Sequence, residues 1–151
     1  MIKITEFNGK KGKYFFGSVK VGKRGQIVIP QKAREIFQIN AKDKVYIYGH
    51  LKKGLALTKE ENIDHTHGDK DENHFEFGSA TVGERFQIVI PMEAREVFNI
   101  NPEDLVLVFG DIKKGLGFIK ASKLKSFATK LFEAFGGLES FKDQKEEDGD
   151  D

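Results

Sequence analysis

The sequence predicts a mainly β protein with short helices, built from two tandem copies of one small unit. The 151-residue chain repeats itself at an offset of 61 positions, which is the mark of an internal duplication. Short runs of β-branched and aromatic residues, bounded by Gly, Pro and Asn, indicate strands and turns. No apolar run reaches the length of a membrane-spanning helix, and the first residues lack the apolar core of a signal peptide. We therefore expect a cytoplasmic protein with no membrane partner.

The repeat covers most of the chain. Tyr14–Lys59 aligns with Phe75–Lys120 without a gap, and roughly half of the aligned positions are identical, including the two QIVIP runs. A unit of about 45 residues buries too little apolar surface to be stable alone. We therefore expect the two copies to share one hydrophobic core.

In the first copy, the pattern predicts four strands around one short helix. Pro30 ends the second strand and suits the first turn of a helix, in which Ala33, Ile36 and Phe37 follow at helical spacing. Asn40 is the expected helix stop. The expected strands are Phe15–Val21, Gln26–Ile29, Val45–Tyr48 and Leu55–Leu57, with Leu105–Phe109 and Leu116–Ile119 as the last two strands of the second copy.

Composition divides the rest of the chain into segments. EENIDHTHGDKDEN is polar and lacks apolar periodicity, as a linker does, and the acidic tail DQKEEDGDD is typical of disorder. The expected organisation is a basic N-terminal arm (1–13), repeat 1 (14–59), an acidic, His-containing linker (60–74), repeat 2 (75–120), a C-terminal helix (121–141) and a disordered acidic tail (142–151).

Charge separates the two halves of the chain. Residues 1–59 hold 14 basic and 3 acidic side chains, whereas residues 60–151 hold 11 basic and 21 acidic ones. The overall formal charge of +1 therefore conceals a strongly basic half and a strongly acidic half. The first half is suited to attract a polyanion, and the second half to repel it.

A motif within each copy resembles a known family. The pattern V-x-x-x-G-Q-I-x-I-P-x-x-x-R-x-x-F-x-I, followed by D-x-V-x-I, resembles the AbrB/MazE/SpoVT group of looped-hinge, swapped-hairpin DNA-binding domains, over residues 19–59 and 80–120. In that group, two units interleave their hairpins into one β-barrel and act as transcription regulators or antitoxins. The resemblance implies such a barrel here, with both units in one chain as an intrachain pseudo-dimer.

The resemblance also implies a surface that contacts double-stranded DNA, formed by the loop between the first two strands and the start of the helix. Lys and Arg neutralise phosphates, and Arg and Gln can form paired hydrogen bonds with a guanine or adenine edge. Gly22 and Gly25 would let the loop turn and approach the DNA backbone closely. The predicted DNA-binding residues are Lys20, Lys23, Arg24, Gln26, Lys32 and Arg34 of the first copy and Arg85, Gln87 and Arg95 of the second.

The second copy departs from the first at several of these positions. Where the first copy has Lys20, Lys23, Gly25 and Lys32, the second has Thr81, Glu84, Phe86 and Glu93. Each lost lysine weakens phosphate contact, and each glutamate adds repulsion. We interpret the second repeat as one relieved of DNA contact and kept as a structural partner.

Several of the charged residues admit a structural role as well. Arg34 and Arg95 each precede a Glu and either contact DNA or pair with the protein's own carboxylates. Asp43 and Asp104 are expected to hold a turn before the third strand of each copy. Lys10, Lys11 and Lys13 form either a phosphate-contacting arm or a solvated terminus.

The sequence offers little support for a metal site or an enzyme. His65, His67 and His74 lie in the predicted linker, where H-x-H can offer two imidazoles to one ion, but an acid-rich hydrophilic linker explains them without a metal. Cysteine is absent, which excludes disulfides and thiolate ligands. No phosphate-binding loop, dinucleotide fingerprint or nucleophile elbow is present. We expect neither a cofactor nor catalytic activity.

The C-terminal segment predicts an amphipathic helix that Ser122 caps and Gly136-Gly137 ends. Its apolar face either packs on the protein's own barrel or pairs with another chain as an oligomerisation surface. The rival function is a protein-interaction module, such as an antitoxin-like factor that binds a partner through this helix. The apolar face comprises Leu124, Phe127, Leu131, Phe132 and Phe135.

Overall fold

The computed structural model describes residues 12–60 and 71–124, and in these ranges strands dominate. The predicted mainly β class is confirmed. The elements are β1 (Lys13–Lys20), β2 (Gln26–Val28), α1 (Gln31–Phe37), β3 (Lys44–His50), β4 (Gly54–Lys59), β5 (His74–Thr81), β6 (Gln87–Val89), α2 (Met92–Val97), β7 (Leu105–Asp111), β8 (Gly115–Lys120) and a 3-10 turn at Ala121–Lys123.

The two repeats exchange strands. All pairings are antiparallel, and one sheet runs in the order β1-β7-β8-β4-β3-β5, while β2 and β6 form a separate two-stranded ribbon. The first strand of each repeat therefore pairs with the third strand of the other. Swapping the repeats leaves this order unchanged, so the two halves are related by a pseudo-twofold axis between β4 and β8.

The expectation of a shared core is confirmed, because both repeats contribute to one cluster of buried apolar side chains. Nine positions hold a buried hydrophobic core residue in both copies, and each pair is separated by the 61-residue offset. The alternation of buried and exposed residues along β3 and β7 sends one face of each strand into this core. The pairs are Val21/Val82, Ile27/Ile88, Ile29/Ile90, Ala33/Ala94, Ile39/Ile100, Val45/Val106, Ile47/Val108, Leu55/Leu116 and Leu57/Phe118.

The structure places some element ends differently from the sequence prediction. Lys13 is the first residue of β1, where its ammonium pairs with Asp111, so it is not part of a free arm. His74, expected in the linker, begins β5. The α1 helix ends with Gln38 in a left-handed conformation (φ 55°), two residues before the expected stop at Asn40.

Several sequence predictions fall on residues that lie outside the described ranges. Leu124 is described and is exposed just after the 3-10 turn. No described helix has the length and apolar character needed to cross a bilayer. The predictions that lie outside concern Lys10, Lys11, His65, His67, Phe127, Leu131, Phe132, Phe135 and the acidic tail.

Candidate nucleic-acid interface

Two equivalent loops connect the first and second strands of each repeat. We call Val21–Gly25 the first loop and Val82–Phe86 the second loop. In the first loop, the Gly22 amide donates to the Gln26 carbonyl (2.8 Å) and the Gly25 amide to the Gly22 carbonyl (3.0 Å). The second loop repeats both bonds at 2.8 and 2.9 Å, so the two loops share one backbone turn.

A glutamine braces each loop from within. The Arg24 amide donates to Oε1 of Gln26 (2.9 Å), and the Arg85 amide donates to Oε1 of Gln87 (3.0 Å). A Cβ at Gly22 would lie 2.4 Å from the Gln26 Nε2, so only glycine leaves room for this brace.

Both glutamines were predicted to read bases, yet their carbonyl oxygens already hold the loop. The missed signal was the identical spacing of glycine and glutamine in both copies. The brace uses one lone pair of each Oε1 and leaves the other lone pair and the amide nitrogen available, so the base contacts of Gln26 and Gln87 stay a prediction.

Each loop is also anchored to the other repeat. The Ile29 amide donates to the Phe86 carbonyl and the Ile90 amide to the Gly25 carbonyl, both at 2.9 Å. Between the loops lies the ribbon of β2 and β6, where Val28 and Val89 are each 50% exposed. The two loops and this ribbon form one continuous surface, which we call the loop face.

Four exposed cations surround the first loop. Lys20 lies 3.5 Å from Glu103, and Lys32 lies 3.7 Å from Glu35. Solvent screens such exposed pairs, so they hold the lysines weakly. Lys23 and Arg24 are exposed and form no ion pair with any described residue.

The second loop carries a different charge. The positions equivalent to the four cations hold Thr81, Glu84, Arg85 and Glu93, all exposed. One cation and two anions therefore stand where the first loop has four cations. The difference lies on the surface, since the backbone turn beneath is the same.

The arginine of α2 packs on the first loop. Arg95 donates from Nε to the Ile90 carbonyl at 3.0 Å. Gly25 adopts φ +79°, and a Cβ at this position would lie 2.5 Å from the Arg95 Nε. The glycine is therefore required both by its conformation and by the close approach of the guanidinium.

The arginine of α1 packs on the second loop in another way. The Arg34 Cζ lies 4.0 Å from the centre of the Phe86 ring, close enough for the ring's electron-rich face to attract the cation. Its Nε is buried without a hydrogen-bond partner in the described part of the chain. Phe86 itself adopts φ 62°, which is unusual for a residue other than glycine.

The two helix arginines, Arg34 and Arg95, contact the loops, and the sequence left open whether they pair with carboxylates. Neither Arg34 nor Arg95 pairs with a carboxylate among the described residues, so the proposed alternative of an internal ion pair is not what the structure shows. Both are only partly exposed. Each supports the loop of the other repeat, and their predicted DNA contact stays a prediction.

The aspartates hold turns, as predicted. Asp43 Oδ2 accepts the Asn40 amide, and Asp104 Oδ2 accepts the Asn101 amide, each at 2.8 Å. Their backbone carbonyls accept the amides of Val82 and Val21 across the repeats. These residues therefore fix the loops.

A polar cluster lies on β3 and β5 at one edge of the sheet. The Tyr46 hydroxyl donates to Glu76 at 2.6 Å, which raises the pKa of Tyr46 to about 12. His50 and His74 face each other across the strands. Hydrogen bonds from the Asn73 amide and from His50 lower the pKa of Asp71. No three His, Asp or Glu side chains in the described ranges are placed to hold one metal ion.

Comparisons with known proteins assign no family. No protein-family model and no curated protein matches the chain. The chain is similar to the solution structure of PHS018 from Pyrococcus horikoshii, with 21% identity over 79% of this chain and 97% of that one, and a TM-score of 0.40. A similarity this low carries no conclusion about function. The resemblance to the AbrB/MazE/SpoVT group therefore rests on the sequence motif.

Proposed function

We propose that this protein is a sequence-specific DNA-binding transcription regulator of the AbrB type, and that its first loop makes the principal contact with double-stranded DNA. The observation that carries the proposal is the exposure of Lys23 and Arg24 on a loop braced by Gln26. A braced loop presents its cations without a large ordering cost on binding. Lys20 and Lys32 extend the same positive surface.

The proposal includes the swapped-hairpin barrel of that family. The pairing of β1 with β7 and of β5 with β3 supports it, because interleaved hairpins require each repeat to lend its first strand to the other. The anchoring of each loop by the other repeat supports it further. In this arrangement one chain supplies both halves of the DNA-facing surface.

The shape of the loop face suits the major groove. A two-stranded ribbon fits the groove width, and the ribbon of β2 and β6 projects Val28 and Val89 outward. Small apolar side chains of this kind can contact thymine methyl groups. In this proposal Arg24 reads a guanine edge, while Lys20 and Lys23 contact phosphates.

The charge of the loop face makes this contact one-sided. Glu84 and Glu93 repel phosphates where the first repeat has lysines, and Arg85 is the one exposed cation retained at the second loop. The second repeat would then act mainly as the structural partner of the first. An asymmetric DNA site follows, because the two halves of the pseudo-dimer offer different chemistry.

Fluorescence anisotropy with the full chain tests the proposal. The probes are the duplex upstream of the protein's own gene and a random duplex of equal length. If four to six phosphates are contacted, affinity falls by roughly 10²–10³ between 50 and 200 mM salt. Arg24→Ala and Arg85→Ala are matched variants, because both amides donate to the bracing glutamine through the backbone alone.

We expect Arg24→Ala to abolish specific binding and Arg85→Ala to keep it. Absence of binding to both duplexes at low salt would contradict the proposal and favour the protein-interaction module. A transcription regulator of this kind would be located at the nucleoid, and its association through the C-terminal helix stays a prediction. The assay depends on neither.

A further inference from the structure

A cavity of about 460 Å³ opens where β4 and β8 separate, beneath the turn that joins β7 to β8. The two strands pair as far as Leu57 and Leu116, and beyond that point the turn leaves β4. The end of α1 closes one side with Phe37 and Ile39. The cavity thus lies at a junction of the two repeats, and its volume is within the range of small-molecule sites.

The lining combines an apolar body with a cationic rim. Phe37, Ile39 and Leu57 supply apolar surface, and the exposed Lys113 and Lys114 stand at the rim. No carboxylate of the described residues lies within ion-pair distance of either rim lysine. Both ammonium groups therefore remain available to a ligand.

The third lining lysine is already engaged. Lys59 donates to the Gln38 carbonyl at 2.9 Å and lies 3.7 Å from Asp43. It holds the end of α1 in place beside the cavity. Its role is therefore to fix a wall, while the two lysines of the turn face an incoming ligand.

The two halves of the protein differ in side-chain size here. Leu57 and Thr58 line the cavity, whereas the equivalent positions hold the larger Phe118 and Ile119. Thr58 Cβ and Ile119 Cγ1 each lie 3.1 Å from where a Cβ on Gly115 and on Gly54, respectively, would be, so the two pairs differ in the size of the side chain and not in this distance. The smaller Leu57 and Thr58 therefore leave more space beside their turn than Phe118 and Ile119 leave beside the equivalent turn.

We propose that this cavity binds a small amphipathic organic anion, with a carboxylate, sulfonate or phosphate group joined to an apolar body. The anionic group lies between Lys113 and Lys114, where charge-assisted hydrogen bonds are strong. The apolar body lies against Phe37 and Leu57. The bound anion touches both repeats, so it stabilises their association.

A fluorescence titration with 8-anilinonaphthalene-1-sulfonate, an amphipathic sulfonate, tests the site on the full chain. We expect saturable binding of one molecule per chain. Thr58→Ile copies the residue at the equivalent position and should weaken binding by about tenfold, because it fills the cavity. Lys113→Gln combined with Lys114→Gln should weaken it by a similar factor of about ten.

Lys52→Gln combined with Lys53→Gln provides the matched control at the equivalent turn of the other half. This control removes the same charge and should change affinity by less than about twofold. Equal losses in the two lysine pairs would overturn the proposal, since they would indicate general attraction of an anion. Full binding by the Lys113/Lys114 variant would overturn it too. That variant changes exposed residues only, so the test stands even if Thr58→Ile fails to fold.

Discussion

The first and second loops share a backbone turn and differ in what the fifth residue does. Gly25 adopts φ +79° and lets the Arg95 guanidinium lie against the backbone, where Nε donates to the Ile90 carbonyl. At the same position of the second loop, Phe86 offers its ring to Arg34, whose Nε is left without a partner among the described residues. Arg95 therefore contacts the first loop by close packing on Gly25, while its hydrogen bond to Ile90 stays within the second repeat. Arg34 contacts the second loop by a cation–π interaction with Phe86.

This difference teaches that the duplicated halves have diverged around the loops while keeping equivalent apolar positions in one shared core. The equivalent core positions are apolar and buried in both copies. The four positions that are cationic around the first loop hold two glutamates around the second. Divergence was possible there because solvent-exposed substitutions cost little stability.

The largest expected effect is a loss of stability, which tests whether the two repeats contribute equally to the core. Ile27 and Ile88 oppose each other in the ribbon, and each is 1–2% exposed. Truncation of either to alanine should lower the free energy of unfolding by about 2–5 kcal/mol. Urea unfolding should show the two variants within about 1 kcal/mol of each other. A larger gap would break the comparison, because the two strands of the ribbon would then contribute unequally to the core.

Gly25→Ala should have the next largest effect. The new Cβ meets Arg95 at 2.5 Å and holds alanine at a positive φ, so we expect a loss of about 1–3 kcal/mol in urea unfolding.

Gly17→Ala separates the two causes. Gly17 has φ +92° with no atom within 4 Å of an added Cβ, so its substitution carries the conformational cost alone. The claim about the Arg95 contact fails if both variants lose the same stability.

A double-mutant cycle measures the cation–π contact. Arg34→Met keeps the apolar stem and Phe86→Leu removes the ring, and their coupling should be about 0.5–1 kcal/mol. The cycle of Arg95→Met with Phe86→Leu is the control, and it should give a coupling near zero. Similar coupling in both cycles would show that the coupling does not come from the contact between Arg34 and Phe86.

The smallest expected effect is a change in the pKa of a tyrosine, which distinguishes the two edges of the sheet. Glu76 raises the pKa of Tyr46 to about 12, whereas the equivalent pair is Phe15 and Leu107, which cannot titrate. The stability that this pair contributes is therefore complete below pH 10 and is lost as pH rises toward 12. Ultraviolet titration of Glu76→Gln should show the Tyr46 pKa moving down toward its usual value. An unchanged titration would exclude Glu76 as the cause.

The repeating pattern predicted much of the fold, because strand and helix periodicities are local properties. The four strands and one helix of each copy were found, with ends shifted by one or two residues, as at Lys13 and Gln38. The pairing of β1 with β7 was not readable from periodicity, since the partner lies in the other repeat. Only the resemblance implied an exchange of this kind.

The loop contacts were harder to predict than the loops. The exposure of Lys23 and Arg24 followed from a polar, glycine-containing turn. Contact between Arg34 and Phe86 joins residues 52 positions apart, and no local pattern reports on it. One signal was present in the sequence. The second copy has Phe86 where the first has Gly25, while both copies keep the helix arginine, Arg34 and Arg95. A substitution in the loop next to an arginine that both copies keep indicates that the arginine contacts the two loops differently.

The central claim is that the cations around the first loop contact DNA, and that the glutamates around the second loop prevent the same contact there. Anisotropy titrations of Lys23→Glu and of Glu84→Lys combined with Glu93→Lys test it most directly. The account predicts that the first variant binds roughly tenfold more weakly and the second roughly tenfold more tightly, with a salt slope steeper by about two. Unchanged affinity in either variant would contradict the account.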